Sequence, residues 1–225
     1  MKYSQPKLKG SDQTPELPEI YLDILGYKED GFFVEFGVGQ TIGYASNTGF
    51  LADIGWSGLY YEPHKDYYNE ALVRHKDNNV KIFNYGVGPF HEEVTMLPGD
   101  TVRQVTHKEY CRLGWLSDEY IENYNKHTVM LKPVEEALWE GACPAKYDIL
   151  SIDVEGYELP ILKSYKFDLF RPKLIVIELR DTNFSFHPAV RRESAMCVNI
   201  LRNNEYKILF KDQLNTVFID SGEEE

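Results

Sequence analysis

Short, continuously apolar segments alternate with amphipathic segments along most of this 225-residue chain. The runs GFFVEF, GLYYEP and VKIFNYGVG read as buried strands, and the segments between them have the length and pattern of helices. The alternation resumes with strands in YDILSIDVEG and KLIVIEL, and the chain closes with two strands in YKILFKDQLNTVFID. Strands that are apolar throughout are typical of a parallel sheet covered by helices on both faces. The sequence therefore predicts an α/β fold whose mostly parallel sheet ends in an antiparallel hairpin.

The size and net charge of the chain limit the classes of partner that it can bind. Residues 1–225 fit one domain, and a net charge of -12 with a pI near 5.0 argues against a phosphate-binding surface for nucleic acid. Cys111, Cys143 and Cys197 are far apart and form no C-x-x-C pair, as expected in a reducing compartment. We find neither a signal peptide nor a run of 18 apolar residues. We predict a cytoplasmic protein with no nucleic-acid or membrane partner.

Residues 91–128 interrupt the alternation. They read as a hairpin followed by a polar segment with one tryptophan and three tyrosines, a composition that argues against disorder. Long insertions in compact domains are usually functional or disordered. We predict that 91–128 forms an inserted cap over the ligand face, and an equally weighted alternative is an edge that packs on the sheet.

A glycine-rich turn follows the first predicted strand. Gly37 and Gly39 begin a pattern that resembles the dinucleotide fingerprint G-x-G-x-x-G, but Ile42 stands where the third glycine belongs. Glu35, two residues before the first glycine, would repel a pyrophosphate. S-adenosylmethionine (SAM) instead carries a sulfonium and an ammonium, which an acid at the strand end attracts. The turn therefore favours SAM over NAD, although Glu35 could simply anchor the next helix.

A second acid, Glu62, ends the next strand 23 residues after Gly39. A carboxylate at this position can accept hydrogen bonds from both ribose hydroxyls of a nucleoside. The position suits NAD as well as SAM, and a structural role beside the following helix is the alternative. Tyr85, in the third predicted strand, is also assigned to the cofactor site.

The segment DILSIDVEGYELPIL places a further acid at a strand end. Asp153 ends the strand and Glu155 lies in the turn after it, where ligands of open α/β sheets bind. Paired carboxylates can provide a general base or gather a divalent cation, which Glu178 would join from the next strand. The alternatives are a helix cap for Glu155 and a loop anchor for Asp153. His107, in the insertion, is a further candidate proton acceptor, as is His127.

These motifs together resemble the FkbM family of SAM-dependent methyltransferases. The matching pieces are GFFVEFGVG, SNTGFL, GWSGLYYEPHKDYY, YDILSIDVEGYELPILKS and RPKLIVIE, in the family's order between Tyr27 and Leu179. The resemblance implies a seven-stranded class I methyltransferase fold and SAM contacts by Glu35, Gly37, Gly39, Asn47, Thr48 and Glu62. The resemblance also places Asp153 and Glu155 at the end of the site where the methyl group is transferred. One departure is VGQTIG, where the family usually has a turn such as ANDG.

We therefore predict SAM-dependent methylation of a hydroxyl oxygen on a small-molecule or carbohydrate-like acceptor. Asp153 or His107 would accept the proton as the oxygen attacks the methyl group. A divalent metal held by Asp153 and Glu178 is possible but not favoured, since no histidine pair has ligand spacing. The alternatives are an NAD-dependent dehydrogenase and a SAM-binding module without catalysis.

Overall fold

A computed structural model describes residues 14–39, 46–96, 127–182 and 188–222. The helices in these ranges are α1 (Leu17–Leu25), α2 (Gly49–Asp53), α3 (Lys65–Arg74), α4 (Val134–Gly141), α5 (Glu158–Ser164) and α6 (Pro188–Asn203). The strands are β1 (Phe32–Phe36), β2 (Ser57–Tyr61), β3 (Val80–Phe83), β4 (Gly86–Gly88), β5 (Glu92–Met96), β6 (His127–Pro133), β7 (Lys146–Ile152), β8 (Arg171–Glu178), β9 (Tyr206–Lys211) and β10 (Asn215–Asp220).

Seven of these strands form one large sheet in the order β3-β2-β1-β7-β8-β10-β9. Neighbouring strands from β3 to β8 pair in parallel, whereas β10 is antiparallel to both β8 and β9. This arrangement confirms the predicted mostly parallel sheet with its C-terminal hairpin. Because β1 lies between β2 and β7, the order of the strands reverses beside it, and this is where open α/β sheets bind ligands.

Both faces of the large sheet are buried, which explains why its strands are apolar throughout. Val34, Phe36 and Leu150 lie in one core, which α4, α5 and α6 cover. Phe33 and Ile149 point to the opposite core, under α1 and α2. Successive side chains of a strand alternate between faces, so each face needs its own apolar set. In the described part of the chain, no helix is long and apolar enough to span a membrane.

A second, three-stranded sheet in the order β4-β6-β5 was not predicted. The run VKIFNYGVG is not one strand, because β3 ends at Phe83 and β4 begins at Gly86 in the other sheet. Between them, the Asn84 amide donates to the carbonyl oxygens of Glu62 and Pro63, at 3.0 and 3.1 Å, and the chain leaves the large sheet there. The sequence pattern also predicts neither β6 nor α4.

The two ends of the predicted insertion meet in this small sheet. Strands β5 and β6 pair antiparallel, with Glu92 opposite Leu131 and Met96 opposite His127. The segment between these strands, which includes His107, lies outside the described residues. The cap and its proposed role therefore remain predictions.

Candidate functional site

A cavity of about 270 Å³ opens at the carboxyl ends of β1, β2 and β7. The small sheet forms one side of it. The wall contains residues 36–39, 61–63, 86–87 and 153–155, together with Tyr67, Met96, Leu131 and Tyr157. Of the predicted site residues, the structure brings together at this wall Gly37, Gly39, Glu62, Asp153 and Glu155.

The glycine turn, residues 37–39, needs glycine for backbone reasons. Gly37 and Gly39 have φ values of +80° and +62°, in the left-handed region that side chains disfavour. The Gly37 N–H donates to the carbonyl oxygen of Tyr61 at 3.0 Å, which ties the turn to the end of β2. These constraints hold the turn against both neighbouring strands and shape the floor of the cavity.

Glu62 stabilises this turn as well as lining the cavity. Its side chain is 3% exposed, and its Oε2 accepts hydrogen bonds from the N–H groups of Val38 and Gly39, at 2.9 and 3.0 Å. Oε1 accepts from the N–H of His64 at 2.7 Å. The carboxylate thus has a fixed orientation at the end of β2, as a ribose-binding acid requires.

Glu35 lies beneath the turn rather than on the cavity wall. Its carboxylate accepts from the Ser46 hydroxyl at 2.6 Å, the Asn47 N–H at 2.9 Å and the Thr48 hydroxyl at 2.5 Å. Burial raises the pKa of Glu35 to about 7, against the lowering effect of these hydrogen bonds. These contacts are the ones expected if Glu35 anchors the helix that follows the turn. Asn47 and Thr48 are buried beside it and also do not reach the described wall.

Tyr85 and His127 are directed away from the cavity wall. The Tyr85 hydroxyl donates to Glu140 at 2.7 Å, and Lys132 lies 4.2 Å from the centre of its ring. The His127 ring packs edge-on against His64, with 4.5 Å between ring centroids. The cofactor contact predicted for Tyr85 stays a prediction, and Tyr85 is not among the residues of the described cavity wall.

The predicted acidic cluster forms, and it includes a cation that sequence analysis missed. Carboxylate oxygens of Asp153, Glu155 and Glu178 all lie within 4.8 Å of one another. Arg180 contacts two of these acids through Nη2, at 2.9 Å from Glu155 and at 2.8 and 2.9 Å from the two oxygens of Glu178. Burial lowers the pKa of Arg180 to about 10, so the guanidinium stays charged near neutral pH.

A second unpredicted residue, Glu158, supports the turn after β7. Its Oε1 accepts from the N–H groups of Val154 and Gly156, at 3.3 and 3.0 Å. Burial raises the pKa of Glu158 to about 7. Glu155, between the two donors, has a φ of +50°, which is unusual for a side-chain-bearing residue. The Glu155 carboxylate pairs with Arg180, at 2.9 Å from Nη2.

One protein-family model and several solved structures are similar to this chain. The sequence model of the Methyltransferase FkbM domain matches residues 37–208, more than three-quarters of the chain. No curated protein matches the chain in sequence.

Among solved structures, the chain is similar to an O-methyltransferase from Bacillus cereus in complex with SAH, the demethylated product of SAM. The identity is 13%, the TM-score is 0.48, and the match covers 95% of this chain and 85% of the other. A precorrin-6y C5,15-methyltransferase from Geobacter metallireducens gives 12% identity and a TM-score of 0.43, over 91% and 87% of the chains. Fibrillarin from Aeropyrum pernix with bound SAM gives 11% and 0.41, over 89% and 73%.

The family match decides between a methyltransferase and the NAD-dependent dehydrogenase considered from the sequence. The seven-stranded sheet is the fold that the resemblance implied, and the glycine turn, Glu62 and Asp153 lie at its cavity. The chain therefore belongs to the FkbM methyltransferase domain family and is a SAM-dependent methyltransferase with a class I fold.

Proposed function

We propose that this enzyme transfers the methyl group of SAM to a hydroxyl oxygen of an uncharged, carbohydrate-like small molecule. One observation carries the proposal. The described cavity wall contains three carboxylates, from Glu62, Asp153 and Glu155, and no lysine or arginine. An anionic acceptor would bring its charge next to these groups, which is unfavourable in a partly buried site. Nucleic acid and phosphorylated acceptors are disfavoured for the same reason.

The same charge suits the cofactor. SAM carries two positive groups and one carboxylate, so the acidic wall attracts it. In this proposal Glu62 accepts the ribose hydroxyls, and Gly37 and Gly39 let the backbone approach the methionyl part. Glu35, with Asn47 and Thr48, acts by holding the loop that follows the turn.

Methyl transfer is a displacement at carbon. A lone pair of the acceptor oxygen forms the new C–O bond while the C–S bond of SAM breaks, and the sulfonium becomes the neutral thioether of SAH. The hydroxyl proton passes to the carboxylate of Asp153. Binding in a cavity aligns the two partners, which lowers the entropic part of the barrier. Tyr157 offers an aromatic face for a ring-shaped acceptor at this end of the cavity.

The experiment is a panel of acceptors assayed for SAH formation. Neutral sugars and cyclic alcohols should be tested beside their phosphorylated counterparts and short RNA. We expect turnover of a neutral hydroxyl compound, and slower turnover of its phosphorylated counterpart. Turnover restricted to RNA or phosphorylated acceptors would contradict the proposal. Methylation at nitrogen or carbon, found by mass spectrometry of the product, would contradict the hydroxyl part.

The non-catalytic SAM-binding module remains the second candidate. It requires SAM binding without SAH formation on any acceptor, and Asp153 at the wall favours the enzyme over it. The cytoplasmic location predicted from the sequence also stays part of this proposal.

A further inference from the structure

The acidic cluster at the ends of β7 and β8 already contains its own counterion. Glu178 is 8% exposed and Arg180 4%. The Nη2 atom of Arg180 lies 2.8–2.9 Å from both Glu178 oxygens and from one oxygen of Glu155. The backbone N–H of Arg180 donates to the Ser194 hydroxyl of α6 at 3.1 Å. Arg180 is therefore held through its backbone as well as through its guanidinium.

Arg180 does not belong to the described wall of the 270 Å³ cavity, whereas Asp153 and Glu155 do. With Glu178 it lines a separate space of about 10 Å³ behind the turn, enough for one water molecule. Arg180 can therefore influence an acceptor only through the acids in front of it.

We propose that Arg180 takes the place that a divalent metal ion would occupy in this cluster, and that it is a positioning residue that fixes Glu155 at the acceptor end of the cavity. The metal alternative of the sequence analysis does not fit these residues. Divalent cations bind carboxylate oxygens at about 2.0–2.6 Å. An ion bound to Glu155 and Glu178 would compete for these carboxylates with a guanidinium whose nitrogen already contacts both acids, and two cations so close together repel each other.

The guanidinium reaches both oxygens of Glu178 and one of Glu155 through Nη2. One long, permanently charged side chain thereby joins the two acids. Glu155 needs such support because its φ of +50° is sparsely populated for glutamate. The carboxylate oxygens of Glu178, Glu155 and Asp153 lie within 4.8 Å of one another. Arg180, which contacts the first two of these acids, therefore also lies close to Asp153.

The first experiment needs no catalysis. Binding of Mn²⁺ to the SAM-bound wild-type protein is measured by electron paramagnetic resonance and by calorimetry, with Glu178→Gln as the matched control. We expect the wild-type protein to have no saturable Mn²⁺ site that is lost in Glu178→Gln. One equivalent of bound Mn²⁺ that is lost in Glu178→Gln would overturn the proposal, whether or not an acceptor has been found.

The second experiment tests positioning, and it rests on the proposed function. Arg180→Lys keeps the charge but shortens the side chain and removes the planar group, so we expect kcat to fall roughly 10- to 100-fold with SAM affinity within about twofold of wild type. The control is Arg171→Lys, at the start of β8, the strand that Arg180 follows, where Arg171 pairs with Asp220 at 2.5 and 2.7 Å far from the cavity. That variant should keep kcat. An Arg180→Lys enzyme with wild-type kcat would overturn the positioning role.

Chemical rescue separates positioning from general stability. Added guanidinium ion, well below denaturing concentrations, should raise kcat of Arg180→Ala and leave Asp153→Asn unchanged. Absence of rescue in a folded, SAM-binding Arg180→Ala protein would count against the role. If the wild-type enzyme turns over no acceptor, the proposed function fails, while the Mn²⁺ measurement still decides the metal question.

Discussion

Gly37 and Asp153 touch through their backbones, and a Cβ built on Gly37 would stand 1.8 Å from the carbonyl oxygen of Asp153. The N–H of Asp153 donates to the carbonyl oxygen of Phe36 at 3.0 Å, so β1 and β7 stay joined beyond their last paired residues. The glycine turn and the proposed base therefore share one rigid junction. The position of Asp153 depends on the absence of a side chain at residue 37.

Gly37→Ala should damage this junction. The variant combines an unfavourable φ of +80° with a clash against backbone, which cannot rotate away. Gly26→Ala is the matched control, because Gly26 has a similar φ of +69° and a Cβ added there would meet nothing within 4 Å. We expect Gly26→Ala to lower the free energy of unfolding by roughly 1–3 kcal/mol, because the Gly26 φ of +69° with a ψ of 177° is a conformation almost restricted to glycine. Gly37→Ala should lower it further and weaken SAM. Equal losses in both variants would contradict the steric argument.

Glu62→Gln tests the ribose assignment. The change removes the charge that would accept the ribose hydroxyls, so SAM binding should lose roughly 1.5–3 kcal/mol, or about 10- to 150-fold in affinity. SAM and SAH share the ribose, and calorimetry should therefore find equal losses for both ligands. A full-size increase of the melting temperature by SAM in the variant would exclude Glu62 from the ribose.

The large sheet and the cavity were predictable from the sequence because both depend on local pattern and chain direction. Strands buried on both faces, such as the one with Phe33 and Phe36, are apolar at almost every position, and Glu35 in that strand is the buried exception. Parallel strands also end at the same edge, which brings Glu62 and Asp153 to one cavity although they are far apart in sequence.

The residues that support the site could not be predicted, since their roles depend on contacts between distant segments. Glu35 and Glu62 both follow the pattern of an acid at a strand end. Only the folded structure shows that the Glu35 carboxylate accepts hydrogen bonds from the hydroxyl groups of Ser46 and Thr48. Arg180 looks like an ordinary charged residue after a strand, and its partner Glu155 lies 25 residues earlier.

The raised pKa of Glu35 has a consequence for stability. A carboxyl whose pKa rises from 4.5 to about 7 on folding holds its proton more tightly in the folded chain. Stability from this group is therefore full below pH 4.5 and falls as the pH rises to 7, by about 3 kcal/mol in total. Glu35→Gln should remove that slope from denaturant unfolding between pH 5 and 7. Glu158→Gln is the matched variant, because the Glu158 pKa also rises to about 7.

The Glu35→Gln variant also separates the two roles considered for this acid. If Glu35 anchors the loop through Asn47, the variant should weaken SAM and a neutral analogue by the same factor. A larger loss for the cationic ligand would show that the charge of Glu35 contacts the cofactor directly. Calorimetric titration of both ligands at pH 8, where the carboxyl is ionised, makes the comparison.

Asp153→Asn tests the proposed chemistry most directly. Asparagine keeps the shape of the side chain but cannot accept the hydroxyl proton, so kcat should fall on the order of 10²- to 10⁴-fold while the SAM dissociation constant stays unchanged. Asp148→Asn is the control on the same strand, since Asp148 accepts from the Phe32 N–H at 2.8 Å and pairs with Lys28. We expect Asp148→Asn to lose stability and to keep its kcat.

The two alternatives for Asp153 give different results in the same assays. A loop anchor would lose stability and SAM affinity together, with turnover per bound SAM close to wild type. A metal ligand would make wild-type turnover sensitive to chelation, which the contacts of Arg180 with Glu178 argue against. If Asp153 is the base, Asp153→Asn lowers turnover alone. The hydrogen bond from the Asp153 N–H to Phe36 and the packing of Asp153 on Gly37 are backbone contacts, which the substitution leaves intact. Wild-type turnover by Asp153→Asn at saturating SAM and acceptor would therefore rule out Asp153 as the base.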